Sequence, residues 1–358
     1  MDSPTDILHF EKWLGVLGER NGTDLHLTVG NAPLLRLDGQ IVPLLEEEIL
    51  TPERMDAIMA HLFSEAELAE FKAKKELIAS LTLKKIMRFR AHAFISRGFP
   101  SLSLRYVSAA ERTAEELGIP AAVMALTDSG GGLLIITGPF DSGKTTTVKT
   151  LLSKINHSQA KYIITFEKPI EYLLPSDKAA IIQREVGRDV ADYASGLAAL
   201  AEEDVNVAVV GALPDVATAE QVLQLANSGR LVILIGSSRQ AIGALEQIRD
   251  LYGEADRARA LNLLGDALLG IVAQILLPKV GGGWVLVSEV LLATNPVKSL
   301  IRDNKLAQIK NIMQTSRAAG MITLDNALAS ASKAGLVALK DAKEHAIDPN
   351  QFTILVSH

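Results

Sequence analysis

The spacing of hydrophobic and polar positions changes partway along the chain. Following Pro4, the residues Ile7, Phe10, Leu14 and Leu17 fall on one face of a helix, and Gly22 marks its stop. Leu25, Leu27 and Val29 alternate with Asp24, His26 and Thr28, the pattern of a half-buried strand. Residues 35–37 and 40–42 flank Asp38-Gly39, a pair suited to the left-handed backbone of a type I′ turn, and predict a hairpin. Thr51-Pro52-Glu53 offers an N-cap, a first-position proline and an early acid, and predicts a helix running to about Lys74. Three more strand-like runs follow. The clearest is 88–94, where Arg88 and Arg90 alternate along what reads as a solvent face. These elements predict a small α+β domain over 1–107, and 108–128 reads as a linker.

From Gly130 onward, short and continuously apolar runs alternate with helix-length segments: 133–137, 162–166, 207–210 and 231–235. Strands without a polar face are buried on both sides, the signature of a parallel sheet between helix layers. The apolar run 268–277 is interrupted by Gln274; with Gly281 to Gly283 and 285–290 it predicts a hairpin added to that sheet. After Pro296 the pattern is helical. The fold class is therefore α/β, with an α/β domain over 129–294 and a helical region over 295–358.

Composition narrows the classes of function. With 48% hydrophobic and 22% charged residues, the 358-residue chain has an ordinary soluble, globular mix. The run 268–277 is too short to span a bilayer, and Met-Asp-Ser-Pro-Thr-Asp lacks the basic start and apolar stretch of a signal peptide. The absence of Cys removes disulfides, thiolate nucleophiles and cysteine metal sites, and the seven His form no H-x-x-x-H pair. A net charge of −6 gives no electrostatic reason to expect a nucleic-acid partner.

The chemistry is concentrated in Gly138-Pro139-Phe140-Asp141-Ser142-Gly143-Lys144-Thr145, which fits G-x-x-x-x-G-K-[ST] between an apolar strand and a helix expected over 146–155. Backbone N–H groups of such a loop, among them those around Ser142 and Gly143, and the helix N-terminus at Thr145 and Thr146 wrap phosphates. Lys144 would reach the β and γ oxygens, and Thr145 the Mg²⁺. Asp141 is out of place there, because it sets a carboxylate among amides meant for phosphate and puts a side chain on a turn that favours glycine.

With that loop placed, further segments are similar to the type IV pilus retraction ATPases, the PilT/PilU group of the type II/IV secretion ATPase superfamily. Asp24-Leu25-His26-Leu27 followed by Arg36-Leu37-Asp38-Gly39 looks like the start of that group's PAS-like N-terminal domain, and Glu115-Glu116-Leu117-Gly118 resembles its linker. Residues 166–172 resemble its acidic "Asp box", residues 183–189 the segment after it, and residues 297–303 the helix tied to retraction. The resemblance implies a PAS-like domain followed by a RecA-like P-loop NTPase domain. It also implies ATP with Mg²⁺ as cofactor, with nucleotide between the two domains. The implied assembly is a homohexamer, or a mixed ring with an active paralogue, on an inner-membrane pilus or secretion platform protein. The implied place is cytoplasmic, peripheral to the inner membrane.

The departures from the family pattern fall on its catalytic positions. The Walker B strand reads 206–211 and is followed by Ala212 where the family has glutamate. Asn206 is left as a weak, uncharged metal contact, and Pro214 stands where arginine is usual. In the His box Arg230 replaces the first histidine and Ser237 the second, so Arg230 is the candidate substitute there. Lys168 replaces the aspartate of the Asp box, while Ala198 and Glu202 replace arginines upstream of Walker B. Glu171 falls on the water-activating glutamate, with Glu167 four residues earlier. Arg97 and Arg105 lie in the segment whose arginines meet the phosphates, and Leu300, Ile301 and Arg302 form the candidate motor-coupling surface. Losing one oriented catalytic group typically lowers a rate by ~10²–10⁴. The expectation is a ring-forming subunit that binds nucleotide weakly and hydrolyses it little or not at all. The alternatives are an active retraction ATPase and a non-hydrolysing nucleotide sensor.

Overall fold

The computed structural model describes residues 4–20, 22–37, 39–83, 87–107 and 112–357. The chain divides into two compact units, one made of Met1–Ala110 with Pro169–Leu173, the other of Glu111–Lys168 with Leu174–His358.

The first unit contains helices α1 (Pro4–Glu19), α2 (Pro52–Leu62) and α3 (Glu65–Lys74). Its strands are β1 (Asp24–Thr28), β2 (Leu34–Leu37), β3 (Gln40–Pro43), β4 (Glu76–Leu83), β5 (Met87–Ser96) and β6 (Phe99–Val107). They form one antiparallel sheet in the order β3-β2-β1-β6-β5-β4. The apolar stripe of α1 (Phe10, Trp13, Leu14, Leu17) is buried with Leu25, Leu27, Phe89 and Leu104 of the sheet, as its spacing predicts. The single helix expected from Pro52 to Lys74 is instead two. Phe63 turns extended and enters the core, and Ser64 opens α3 with a capping box to Glu67. Leu37 faces Gln40 across the first hairpin and Gly39 has φ +82°, while Asp38 lies outside the described residues. A second two-residue connection, Arg97-Gly98 with φ +53° and +87°, joins β5 to β6.

The second unit opens with short helices α4 (Ala114–Leu117) and α5 (Ala121–Ala125). A linker was expected here. Val123 is instead buried beside Leu134 in this unit's core, and Thr113 caps α4 with a box to Glu116; residues 108–111 lie outside the described residues. The sheet comprises β7 (Gly132–Thr137), β8 (Tyr162–Glu167), β9 (Ala180–Glu185), β10 (Val207–Val210), β11 (Leu231–Ile235), β12 (Leu268–Pro278) and β13 (Trp284–Leu292). Its order is β13-β12-β7-β11-β10-β8-β9, parallel throughout except for the β12–β13 hairpin at one edge. The helices are α6 (Lys144–Ser158), α7 (Tyr193–Ala199), α8 (Val216–Asn227), α9 (Ala241–Leu251) and α10 (Glu254–Ala267). Alternate strand residues face opposite helix layers. Leu134, Ile136 and Val209 pack with Val148, Leu151 and Ile155 of α6, whereas Leu133, Ile135 and Val210 pack with Val222, Leu245 and Leu264.

Five helices complete the unit: α11 (Asn295–Arg302), α12 (Ile309–Thr315), α13 (Leu324–Lys333), α14 (Leu339–His345) and α15 (Pro349–Ser357). Leu324, Leu328 and Phe352 bury themselves against Ile275, Leu277 and Val287 of the hairpin. Among the described residues no helix is long and apolar enough to cross a membrane.

Candidate nucleotide-binding site

The phosphate loop leaves the C-terminal end of β7 and enters α6 directly, so that the helix begins at Lys144, two residues earlier than its expected start. Gly143 is its N-cap with φ +82°, a left-handed backbone open to glycine. Lys144, Thr145 and Thr146 form the first turn of α6, where the positive end of the helix dipole favours an anion. Lys144 Nζ donates to the carbonyls of Gly138 (2.9 Å) and Pro139 (2.6 Å) and lies 3.4 Å from Ser142 Oγ. The lysine thus curls over the concave side of its own loop. Asp141 is exposed and has φ +58°, so the non-glycine residue adopts the left-handed conformation that the turn demands.

A cavity of about 730 Å³ opens beside the loop. One wall holds Gly138, Phe140 and Lys144; the strand ends at Gly211 to Pro214 and at Gly236 and Ser237 form another. Helix α9 closes it with Ala244, Gln247, Ile248, Asp250 and Leu251. Ala212 lies in this cavity, and no carboxylate stands in the segment from Gly211 to Pro214. Asp250 is the acid in the lining, and its pairing with Arg249 at 2.8 Å holds it below the usual carboxylate range. Sequence reasoning missed Asp250, because nothing in its local pattern separates it from an ordinary exposed helix residue.

Gln274 and Glu289, buried polar side chains of the β12–β13 hairpin, were not assigned to the site by the sequence reading. Gln274 Nε2 donates to Ser142 O at 2.7 Å. Glu289 accepts from the N–H groups of Ala241 (2.7 Å) and Leu324 (3.1 Å), and so ties the first residue of α9 to the first residue of α13. Burial pushes the Glu289 carboxyl above its ordinary value. The signal for Gln274 was present in the sequence as the one polar interruption of an apolar run.

Two expected site residues lie at the wrong end of the sheet. The strands from β7 to β10 run parallel, so their C-terminal ends face the phosphate loop and their N-terminal ends face away. Asn206 precedes β10, about 16 Å from Gly211 at about 3.3 Å per residue, and its Oδ1 accepts the Tyr162 N–H at 2.8 Å. Arg230 precedes β11 and donates to Ser228 Oγ (2.8 Å) and Glu203 O (2.9 Å). Neither the metal contact at Asn206 nor the histidine replacement at Arg230 survives this placement; Ser237, at the other end of β11, is the residue that lines the cavity.

The remaining candidates fall in other surroundings. Ile301 is fully buried in the core, so the expected coupling surface loses its central residue; Leu300 is half-buried, and exposed Arg302 pairs with Asp266. In the first unit Arg97 is the exposed turn residue between β5 and β6. Arg105 Nε donates to Asp24 at 2.9 Å, and Asp24, expected on a polar face, is only 3% exposed. Arg88 and Arg90, read as a solvent face, instead bind the segment Pro169–Leu173: Arg88 donates to Ile170 O (2.8 Å) and Arg90 pairs with Glu171 (3.0 Å). Glu167 accepts from Thr165 Oγ1 (2.6 Å) and Gln183 Nε2 (3.0 Å) at the end of β8.

Among the described residues, no group of three or more His, Asp or Glu could hold a metal ion by itself. Any Mg²⁺ would rely on the phosphates and on a hydroxyl such as that of Thr145.

A buried parallel strand, a glycine-rich loop and a helix N-terminus around Lys144 define a phosphate-loop nucleoside-triphosphatase fold. Residues 34–283 match T2SSE, the type II/IV secretion system protein family, and the chain belongs to that family. It is 30% identical to the type IV pilus retraction ATPase PilT of Pseudomonas aeruginosa over 95% of this chain and 98% of that one. It is 29% identical to the type IV pilus ATPase PilU of the same organism, over 98% and 91% respectively. A crystal structure of the pilus retraction motor PilT with bound ADP superposes with a TM-score of 0.86 at 34% identity, covering 95% of this chain and 97% of that one.

Proposed function

We propose that the chain is a ring-forming subunit of a type IV pilus or secretion machine that binds ATP with Mg²⁺ weakly and hydrolyses it slowly or not at all. It works as a hexamer or in a mixed ring beside an active paralogue, on the cytoplasmic side of the inner membrane against a platform protein. Its N-terminal unit serves as the PAS-like domain of that family and its second unit as the RecA-like domain. One observation carries this reading: Ala212 occupies the cavity beside Lys144 at the position where the family resemblance expects a catalytic carboxylate. A methyl group neither orients water nor polarises it. Asp141 adds negative charge where phosphate must approach. Retention of Gly143, Lys144 and Thr145 in phosphate-loop geometry supports binding.

Asp250 favours a second reading, a working retraction motor, because it brings a carboxylate to the same cavity. Binding of ADP and ATP and Mg²⁺-dependent turnover, measured on one sample with Lys144→Ala as control, separate the two. Lys144-dependent binding without turnover is expected. Rapid turnover that is lost in both Lys144→Ala and Asp250→Asn would overturn the first reading in favour of the second.

A further inference from the structure

Gln274 is 0% exposed, and it is the one polar residue in the run 268–277. Its Nε2 donates to Ser142 O at 2.7 Å, and only the nitrogen of an amide can donate to a carbonyl, so the side chain's orientation is fixed. Its Oε1 is left buried with no hydrogen-bond partner among the described residues. An aliphatic side chain would avoid that unfavourable burial, so the donor half of the amide must account for the residue.

Both signature glycines of the phosphate loop lie against Gln274. A Cβ on Gly138 would stand 2.3 Å from Gln274 O, and one on Gly143 would stand 3.4 Å from Gln274 Nε2. The loop is therefore seated on β12; Gly138 is needed for that close approach, and Gly143 for its left-handed backbone at φ +82°. The peptide joining Ser142 to Gly143 is planar and trans, so its C=O and N–H point in opposite directions. Holding Ser142 O against Gln274 thereby turns the Gly143 N–H away from β12.

We infer that Gln274 is a positioning residue for the phosphate of a nucleoside di- or triphosphate, acting by fixing the Ser142–Gly143 peptide so that the Gly143 N–H is presented to a phosphate oxygen. The inference rests on the reading of this loop as the nucleotide site.

The test uses the full chain carrying Gln274→Met, which keeps the length and removes the donor, and Gln274→Glu, which sets an acceptor against Ser142 O. A fluorescent ADP analogue reports affinity, and amide hydrogen exchange across residues 138–144 at saturating analogue reports whether phosphate holds the Gly143 N–H. Both variants should bind the analogue roughly tenfold more weakly and, when saturated, protect the Gly143 amide less than the wild type does. A purely structural role would lower the melting temperature and leave affinity per folded molecule unchanged. A folded variant with wild-type affinity and wild-type Gly143 protection overturns the inference while leaving the nucleotide site standing. If the wild type itself fails to bind, the nucleotide reading falls and the inference falls with it.

Discussion

Arg90 Nη1 and Glu171 Oε1 lie 3.0 Å apart, joining the middle of β5 to a segment far along the chain. Arg88, two residues earlier on the same strand, donates to the carbonyl next to that glutamate, at 2.8 Å. Alternation alone assigned both arginines to solvent, but it cannot say which piece of chain covers a polar face. Arg90 and Glu171 are partly exposed, at 30% and 22% of their side chains, so solvent screens the pair. A double-mutant cycle with Arg90→Ala and Glu171→Ala, read by urea denaturation, should give a coupling of no more than about 1 kcal/mol.

Replacing Asp141 by glycine should strengthen nucleotide binding by about fivefold or more. The change removes a carboxylate from the loop and releases a non-glycine residue from φ +58°, a conformation that costs an L-residue roughly 1–2 kcal/mol. Titration with a fluorescent ADP analogue checks this; Asp141→Asn separates the contributions, because it removes the charge and keeps the side chain.

Placing at position 212 the glutamate that the family resemblance implies, with Ala212→Glu, should raise Mg²⁺-dependent ATP hydrolysis by about tenfold, less than the ~10²–10⁴ typical of one intact group. The gain is limited because groups that act as a unit do not recover singly. Phosphate release under saturating ATP is the measurement, and Lys144→Ala in the same background should abolish the gain.

The stability of the second unit should carry a pH signature from Glu289. Burial is the main cause that raises its carboxyl above the ordinary 4.5; Asp325 adds to the rise, while the Ala241 and Leu324 N–H groups and Lys310 oppose it. The folded state therefore holds this proton more tightly than the unfolded state. Its stabilising contribution is complete below the unfolded value and is lost as pH rises through the raised folded value. Glu289→Gln has no such proton. Relative to wild type, the variant's unfolding free energy should climb as pH rises from 4.5, and the two should run parallel below it, as urea denaturation at stepped pH would record.

Much of the fold was legible because it rests on periodicity. The runs at 133–137, 207–210 and 231–235 became buried parallel strands, and the hairpin after Gln274 joined the sheet edge as its pattern required. Ser64 and Glu67 spell a capping box, a local signal in the sequence for the second helix start that divides the segment after Thr51. The phosphate loop was equally readable, since its spacing is local. Sites that depend on which end of a strand faces the loop were not. Asn206 and Arg230 align with functional motifs in one dimension, yet each precedes its strand, and parallel strands carry chemistry at their other ends. Asp24 alternates like a surface residue and is buried, because Arg105 and Arg36 come from neighbouring strands to meet it.

The five residues Pro169–Leu173 belong in space to a unit from which they are distant in sequence. A fragment cut at Ala110 would therefore display the Arg88 and Arg90 guanidiniums stripped of the carbonyl and carboxylate they bind. Excising this N-terminal piece for separate expression thus calls for grafting the loop back, or for pairing the fragment with a peptide bearing Ile170 and Glu171.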